Sequence, residues 1–193
     1  MNLTVNELFY SLQGEGGRAG EASIFIRLTK CNLACSFCDT DFETGTKMSL
    51  DEIAAHIRPF AAKWIVWTGG EPTLQLTDEK VAFFKEKGYR QAIETNGTRR
   101  IPAGIDYITC SPKLHFERVK TIIPQADELR FPMQKGDPLP DISILPVAKR
   151  YFLSPIFDGQ HVIEENVAYC VSLIKENPIW SLSLQIHKLI GIP

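Results

Sequence analysis

Apolar and polar positions along this chain switch repeatedly between a period near two and a period near 3.6. Residues 23–28, S-I-F-I-R-L, are rich in β-branched and aromatic side chains and predict a first core strand. Residues 49–58 predict a helix. Ser49 and Glu52 form a capping box there, hydroxyl and carboxylate each satisfying an orphan amide, and Pro59 ends the run. Residues 64–68 predict a second strand that runs into Gly69-Gly70. Residues 77–87 predict a second helix, closed by Gly88. Short strands are expected at 91–95, 107–110, 128–131 and 151–154. A third helix is expected at 165–175, before Asn177-Pro178, and residues 181–186 alternate like a last strand. The mixed charges of 115–120 predict a solvated surface.

Strands alternating with helices imply a parallel sheet or partial barrel. Three helices for six or seven strands do not make an eightfold barrel, and 193 residues fall short of the ~250 typical of one. The expected fold is therefore α/β, a partial (β/α) barrel with about six core strands and few helices, in one domain spanning 1–193. Sites in such sheets lie at the carboxyl ends of the strands. Four unusual loops follow strands: the cysteine-rich segment after residue 28, Gly69-Gly70-Glu71-Pro72, Thr95-Asn96-Gly97 and Ser111-Pro112-Lys113. They are expected to converge on one rim.

Composition narrows the function classes. The chain is 44% hydrophobic and 23% charged, enough for a sizeable core. Its formal charge of -2 gives no reason to expect nucleic acid or a membrane surface as partner. The amino-terminal M-N-L-T-V-N-E-L-F-Y is not a secretory signal, and no apolar stretch approaches the ~18 residues of a membrane span. Five cysteines, an odd number without disulfide-scaffold spacing, point to a reducing cytoplasm and to metal ligation.

Three of those cysteines, Cys31, Cys35 and Cys38, form a C-x3-C-x2-C run. Three thiolates are one short of a closed structural metal site. His56 is a possible fourth zinc ligand, although it lies within the first predicted helix. Cys110 and Cys170 are possible fourth thiolates, but each reads more simply as buried core. A cluster held by only three thiolates keeps one iron open to a small molecule. Gly69 and Gly70 would let backbone approach such a ligand closely.

The cysteine triplet after the first predicted strand, with G-G-E-P after the second, resembles the radical S-adenosylmethionine (SAM) superfamily. Upstream and downstream, S-L-Q-G-E-G at 11–16, F-I-R-L at 25–28, C-D-T at 38–40 and Q-I-H-K at 185–188, closing at Pro193, resemble the 7-carboxy-7-deazaguanine synthase family. The resemblance implies a [4Fe–4S] cluster on Cys31, Cys35 and Cys38, with SAM on the open iron. It implies SAM contacts at Phe37, Cys38, Asp39, Gly70, Glu71, Glu94, Ser111, Pro112 and Lys113. It implies substrate contacts at Leu12, Gln13, Gly14, Glu15, Arg27, Thr68, His187 and Pro193. Magnesium falls to Thr40 by resemblance, whereas the chemistry of the residues favours the neighbouring carboxylate of Asp39.

The implied reaction converts 6-carboxy-5,6,7,8-tetrahydropterin to 7-carboxy-7-deazaguanine and ammonia, in queuosine or other deazapurine synthesis. No acid or base is assigned, because the chemistry is radical. A homodimer and a flavodoxin or ferredoxin electron donor are implied as partners. Two other readings stand beside this one. Another small radical SAM enzyme, such as a glycyl-radical activase, would need the cysteines and G-G-E-P but not Gln13, Arg27 or the tail. A zinc-binding interaction module would cleave no SAM. Residues 114–146 match no family segment.

Overall fold

The computed structural model describes residues 1–36, 38, 43–113 and 115–193. Among these residues, nine strands form one sheet: β1 Asn2–Leu12, β2 Ala22–Leu28, β3 Thr46–Ser49, β4 Trp64–Gly69, β5 Arg90–Thr95, β6 Tyr107–Cys110, β7 Gln125–Met133, β8 Val147–Pro155 and β9 Trp180–Leu182. The spatial order is β3-β1-β2-β4-β5-β6-β7-β8-β9. Every pairing from β2 to β9 is parallel, and β1 joins β2 and β3 antiparallel at one edge. Five α-helices accompany them: α1 Leu50–Ile57, α2 Asp78–Glu86, α3 Phe116–Ile122, α4 Glu164–Glu176 and α5 Ile186–Ile190. The α/β class, mostly parallel sheet and small helix complement match the expectation. Among the described residues, no helix is long and apolar enough to cross a membrane.

Local chemistry explains the helices that the sequence announces. Ser49 Oγ accepts from Glu52 N at 3.2 Å, and Glu52 Oε2 accepts from Ser49 N at 2.7 Å, completing the capping box of α1. Gly88 takes a left-handed φ of 82° behind α2 and donates to Lys85 O at 2.9 Å.

Several elements differ from the sequence expectation, among them the unexpected edge strand β3. β1 precedes the expected first strand, so the cysteine loop follows the second strand. β1 carries a register shift between Val5 and Glu7, which breaks the two-residue alternation along it. Residues 115–120 carry their charges outward, but they belong to helix α3, whose Val119 is buried. The last strand stops at Leu182: Ser183 N still reaches Leu153 O, but Ile186 N turns away to Gly14 O at 2.9 Å and starts α5. Among the described residues the α-helices therefore number five, of which α3 and α5 are shorter than eight residues.

Strand alternation sorts the two faces of the sheet. Outward residues, among them Ile26, Trp67 and Ile93, pack on α1 and α2 with Ile53, Ile57 and Phe84. Leu129, Phe131 and Leu153 pack around Val119, Cys170 and Trp180 on the other half. The inward face is graded. One cross-strand row, Phe25, Val66, Ala92 and Tyr107, is largely apolar. The next row toward the carboxyl ends carries Arg27, Thr68, Glu94, Thr109 and Glu128. Polar side chains thus collect at the rim where the unusual loops begin. Five strand steps separate β1 from β7, about 24 Å along a flat sheet. Glu15, just beyond β1, nevertheless lies 3.0 Å from Arg130 of β7, so the β1–β2 turn arches over the inward face.

Candidate active site

Two adjoining cavities open at this rim. The first, about 230 Å³, is lined by Cys31, Cys35 and Cys38, by Gly69 and Gly70, and by Asn96, Ser111, Lys113, Arg130 and Ser154, among others. The second, about 430 Å³, is lined by Leu12 to Glu15, Arg27, His187, Lys188, Ile192 and Pro193, among others. Glu15, Thr68, Glu94 and Gln185 line both and form the wall between them.

The cysteine loop rests on the glycine pair. Gly70 N donates to Leu28 O at 3.1 Å, and Glu71 N donates to Lys30 O at 2.8 Å. A Cβ on Gly70 would stand 2.0 Å from Lys30 O, and Gly69 takes a φ of 117° against Leu28. Only glycine lets the two loops pack this closely. The Glu71 side chain points away from both cavities and is fully buried. Its carboxylate accepts from Thr73 N (3.0 Å), Thr73 Oγ1 (2.6 Å), Thr95 Oγ1 (2.8 Å) and Asn96 N (2.8 Å). It fastens the second loop to the third. Asn96 then reaches Asn32 Oδ1 at 3.1 Å and Cys31 Sγ at 4.0 Å, tying the third loop to the first.

Burial raises the Cys35 thiol above its ordinary range; Lys113 opposes this, and Cys38 and Cys31 add to it. Lys113 Nζ donates to Ser111 Oγ at 2.6 Å, and Ser111 Oγ donates to Arg130 O at 2.6 Å. Burial, aided by the charge of Arg130, lowers the Lys113 ammonium to about 8. Ser154 Oγ is buried with no hydrogen-bond partner among the described residues.

Arg130 organises the shared wall. Its guanidinium is 3.0 Å from Glu15 Oε2 and 3.1 Å from Glu94 Oε1. Burial works against its charge, but Glu15, Glu94 and Glu128 outweigh burial and raise its pKa. Glu94 also accepts from Gln13 Nε2 at 3.1 Å and Thr68 Oγ1 at 3.0 Å. Burial alone would raise the Glu94 carboxyl; Arg130 and these donors hold it below its ordinary value instead. Arg27 pairs with Glu7 across β1–β2, Nε to Oε2 at 3.2 Å, while lining the second cavity. The tail folds onto the Q-G-E-G turn: Ser11 Oγ donates to Pro193 O at 2.8 Å, and the His187 ring fills the space a Gly14 side chain would need.

The structure therefore brings together Cys31, Cys35, Cys38, Gly70, Ser111 and Lys113 on one cavity. It gathers Leu12, Gln13, Gly14, Arg27, His187 and Pro193 on the other, with Glu15, Thr68 and Glu94 between them. Glu71 and Pro112 line neither. Phe37, Asp39 and Thr40 lie outside the described residues. His56 is exposed on α1, and Cys110 and Cys170 are buried in the second core. Arg130 and Glu128 are not among the residues expected from the sequence. Their signal was available: charges at i and i+2 of E-L-R-F, in a strand otherwise buried, must share one face.

Among the described residues, no three His, Cys, Asp or Glu side chains gather around a single-ion site. A four-iron cluster spreads its ligands over separate irons. Three thiols opening on one cavity, close enough to influence one another's charge, suit it as a donor set.

Comparison with known proteins agrees with this geometry. Residues 25–132 match the model of the radical SAM superfamily. A 7-carboxy-7-deazaguanine synthase from Bacteroides thetaiotaomicron is 44% identical over 188 residues, 97% of each chain. A 7-carboxy-7-deazaguanine synthase from Haemophilus influenzae is 43% identical, covering 99% of this chain and 94% of its own. The crystal structure of QueE from Escherichia coli superimposes with a TM-score of 0.73 at 25% identity, over 97% of this chain and 95% of that one. Relatives this similar over nearly their whole length, together with the three-cysteine rim, place the chain in the 7-carboxy-7-deazaguanine synthase family of the radical SAM superfamily.

Proposed function

We propose that the chain converts 6-carboxy-5,6,7,8-tetrahydropterin to 7-carboxy-7-deazaguanine and ammonia, using SAM catalytically. The observation that carries this reading is the common wall of Glu15, Thr68, Glu94 and Gln185 between two cavities, which would seat two small molecules side by side. Cys31, Cys35 and Cys38 would hold the [4Fe–4S] cluster, with SAM beside them. When bound, cluster and SAM supply one-electron hydrogen-atom chemistry.

The chain's own residues bind and orient. The amide of Gln13 and the carboxylate of Glu15 match the donor–acceptor edge of a pterin. Arg27 offers a planar fork to the substrate carboxylate, with Glu7 holding it meanwhile. Glu94, kept anionic by Arg130, accepts donors from either cavity. The tail, with His187 and Pro193, would form one side of the substrate site.

Magnesium belongs to the same proposal, held by Thr40 or Asp39. So do a single domain over 1–193, a cytoplasmic location, a homodimer, and electrons from a flavodoxin or ferredoxin. Another radical SAM activity, such as glycyl-radical activation, leaves the second cavity without a purpose. The test is anaerobic reconstitution with iron and sulfide, reduction, and incubation with SAM and the carboxypterin, followed by mass spectrometry. 7-Carboxy-7-deazaguanine exceeding the SAM consumed supports the proposal. SAM cleavage without that product refutes it.

A further inference from the structure

Below the two cavities, Gly17 is gripped at both ends of its backbone. Its N–H donates to Glu128 Oε2 at 2.8 Å, and its carbonyl accepts from Arg150 Nη1 at 3.0 Å. The two side chains face one another because Glu128 of β7 is in register with Arg150 of β8. Glu128 is 2% exposed, and its carboxylate is fixed further by Tyr107 Oη at 2.9 Å and Thr109 Oγ1 at 3.1 Å. Neighbouring Gly16 donates to Ser183 Oγ at 2.8 Å. A Cβ on Gly16 would stand 2.2 Å from Glu128 Oε1, and one on Gly17 would stand 2.3 Å from Arg150 Nη1. Gly16 and Gly17 are therefore shaped to this clamp and not to the cavity, whereas Gly14 lines the second cavity against His187.

Neither Glu128 nor Arg150 lines either cavity. Glu15, which does, lies two residues before Gly17 and is held by Arg130 on its other side. We propose that Glu128 and Arg150 are positioning residues for substrate: by fixing Gly17 they set Glu15 and Gln13 against the ligand of the second cavity. This rests on the substrate reading of that cavity. The clamp works through hydrogen bonds to backbone, so geometry matters more than charge. A glutamine at 128 can keep its oxygen on Gly17 N and Tyr107 Oη, whereas alanine keeps neither.

The test uses the reconstituted enzyme with SAM and the carboxypterin, and equilibrium titration of the carboxypterin in the absence of SAM. Glu128→Ala is expected to raise both KM and Kd for the pterin about tenfold or more, the cost of one or two charge-assisted bonds. Iron content should stay within about twofold, because the clamp touches none of the three cysteines, and SAM affinity should fall less than pterin affinity, since Glu15 borders both cavities. Glu128→Gln should recover affinity to within about threefold of the parent. Should Glu128→Ala fail to fold, Arg150→Met, at an exposed position, severs the other half of the clamp and should still raise KM about threefold or more. Unchanged pterin Kd in both variants overturns the proposal. Parallel loss of iron and SAM binding also overturns it, since that marks a general fold effect. A parent enzyme that makes no deazaguanine would fault the substrate reading instead.

Discussion

Glu71→Gln isolates the joint that holds three rim loops together. The glutamate carboxylate accepts four hydrogen bonds in full burial, three on Oε1 and one, from Asn96 N, on Oε2. A glutamine oxygen in the Oε1 position can keep the first three. Its NH2 then confronts the Asn96 N–H, donor against donor. The lost bond to a charged acceptor costs about 1.5–3 kcal/mol, and the stranded buried amide adds about 1–3 kcal/mol. Relief by local shifts makes about 3 kcal/mol a reasonable total. In a domain of this size that corresponds to a fall in Tm of about 6–12 °C. The assay is urea unfolding followed by circular dichroism at pH 7 on the metal-free protein, with bound iron counted after reconstitution. Because Asn96 also steadies Asn32 and Cys31, iron retention should fall with stability. A loss below about 1 kcal/mol, with normal iron, would refute the joint.

Further outcomes follow from the same geometry. Replacing any one of Cys31, Cys35 or Cys38 by alanine should abolish SAM cleavage; iron and cleavage retained in all three variants would contradict the cluster. Glu94 sits below its ordinary pKa because Arg130 and its donors overcome burial, so its unfolded pKa, about 4.3, is the higher one. Its contribution is complete above that value and drains away as pH falls through the folded one. Urea midpoints of Glu94→Gln should therefore trail the parent by a constant margin from pH 6 to 8, and that margin should shrink below pH 4; a margin that widens in acid would reverse the sign. Deleting Ile192 and Pro193 removes the Ser11 contact and part of the second cavity's wall. Pterin KM should rise while iron content holds, and an unchanged KM would detach the tail from the site.

Much of this was readable from local signals. The capping box fixed where α1 begins, and the β6 strand falls where its pattern ends, because both depend on neighbours in sequence. Cysteine spacing and the glycine pair carried the rim for the same reason. What escaped reading depends on distant partners. Helix α5 exists because Ile186 reaches Gly14 across more than 170 residues, and alternation at 181–186 says nothing of that. Glu71 read as a ligand contact beside two glycines, yet its carboxylate is satisfied by Thr73 of its own loop and by Thr95 and Asn96 of the next. Arg27 stood out as a charge in an apolar strand, but its Glu7 partner lay in a strand the pattern concealed. Arg130 joins carboxylates from two other segments, and only the curved sheet brings them within reach.

The central claim is that the two cavities hold SAM and substrate on opposite sides of one wall. An anaerobic crystal structure of the reconstituted protein with SAM and the carboxypterin tests it most directly. The expected structure holds a four-iron cluster on the three cysteines and SAM against Gly70. It holds the pterin against Gln13 and Glu15, with Thr68 and Glu94 between the ligands. A single zinc ion on the cysteines, or a pterin bound outside the second cavity, would contradict it.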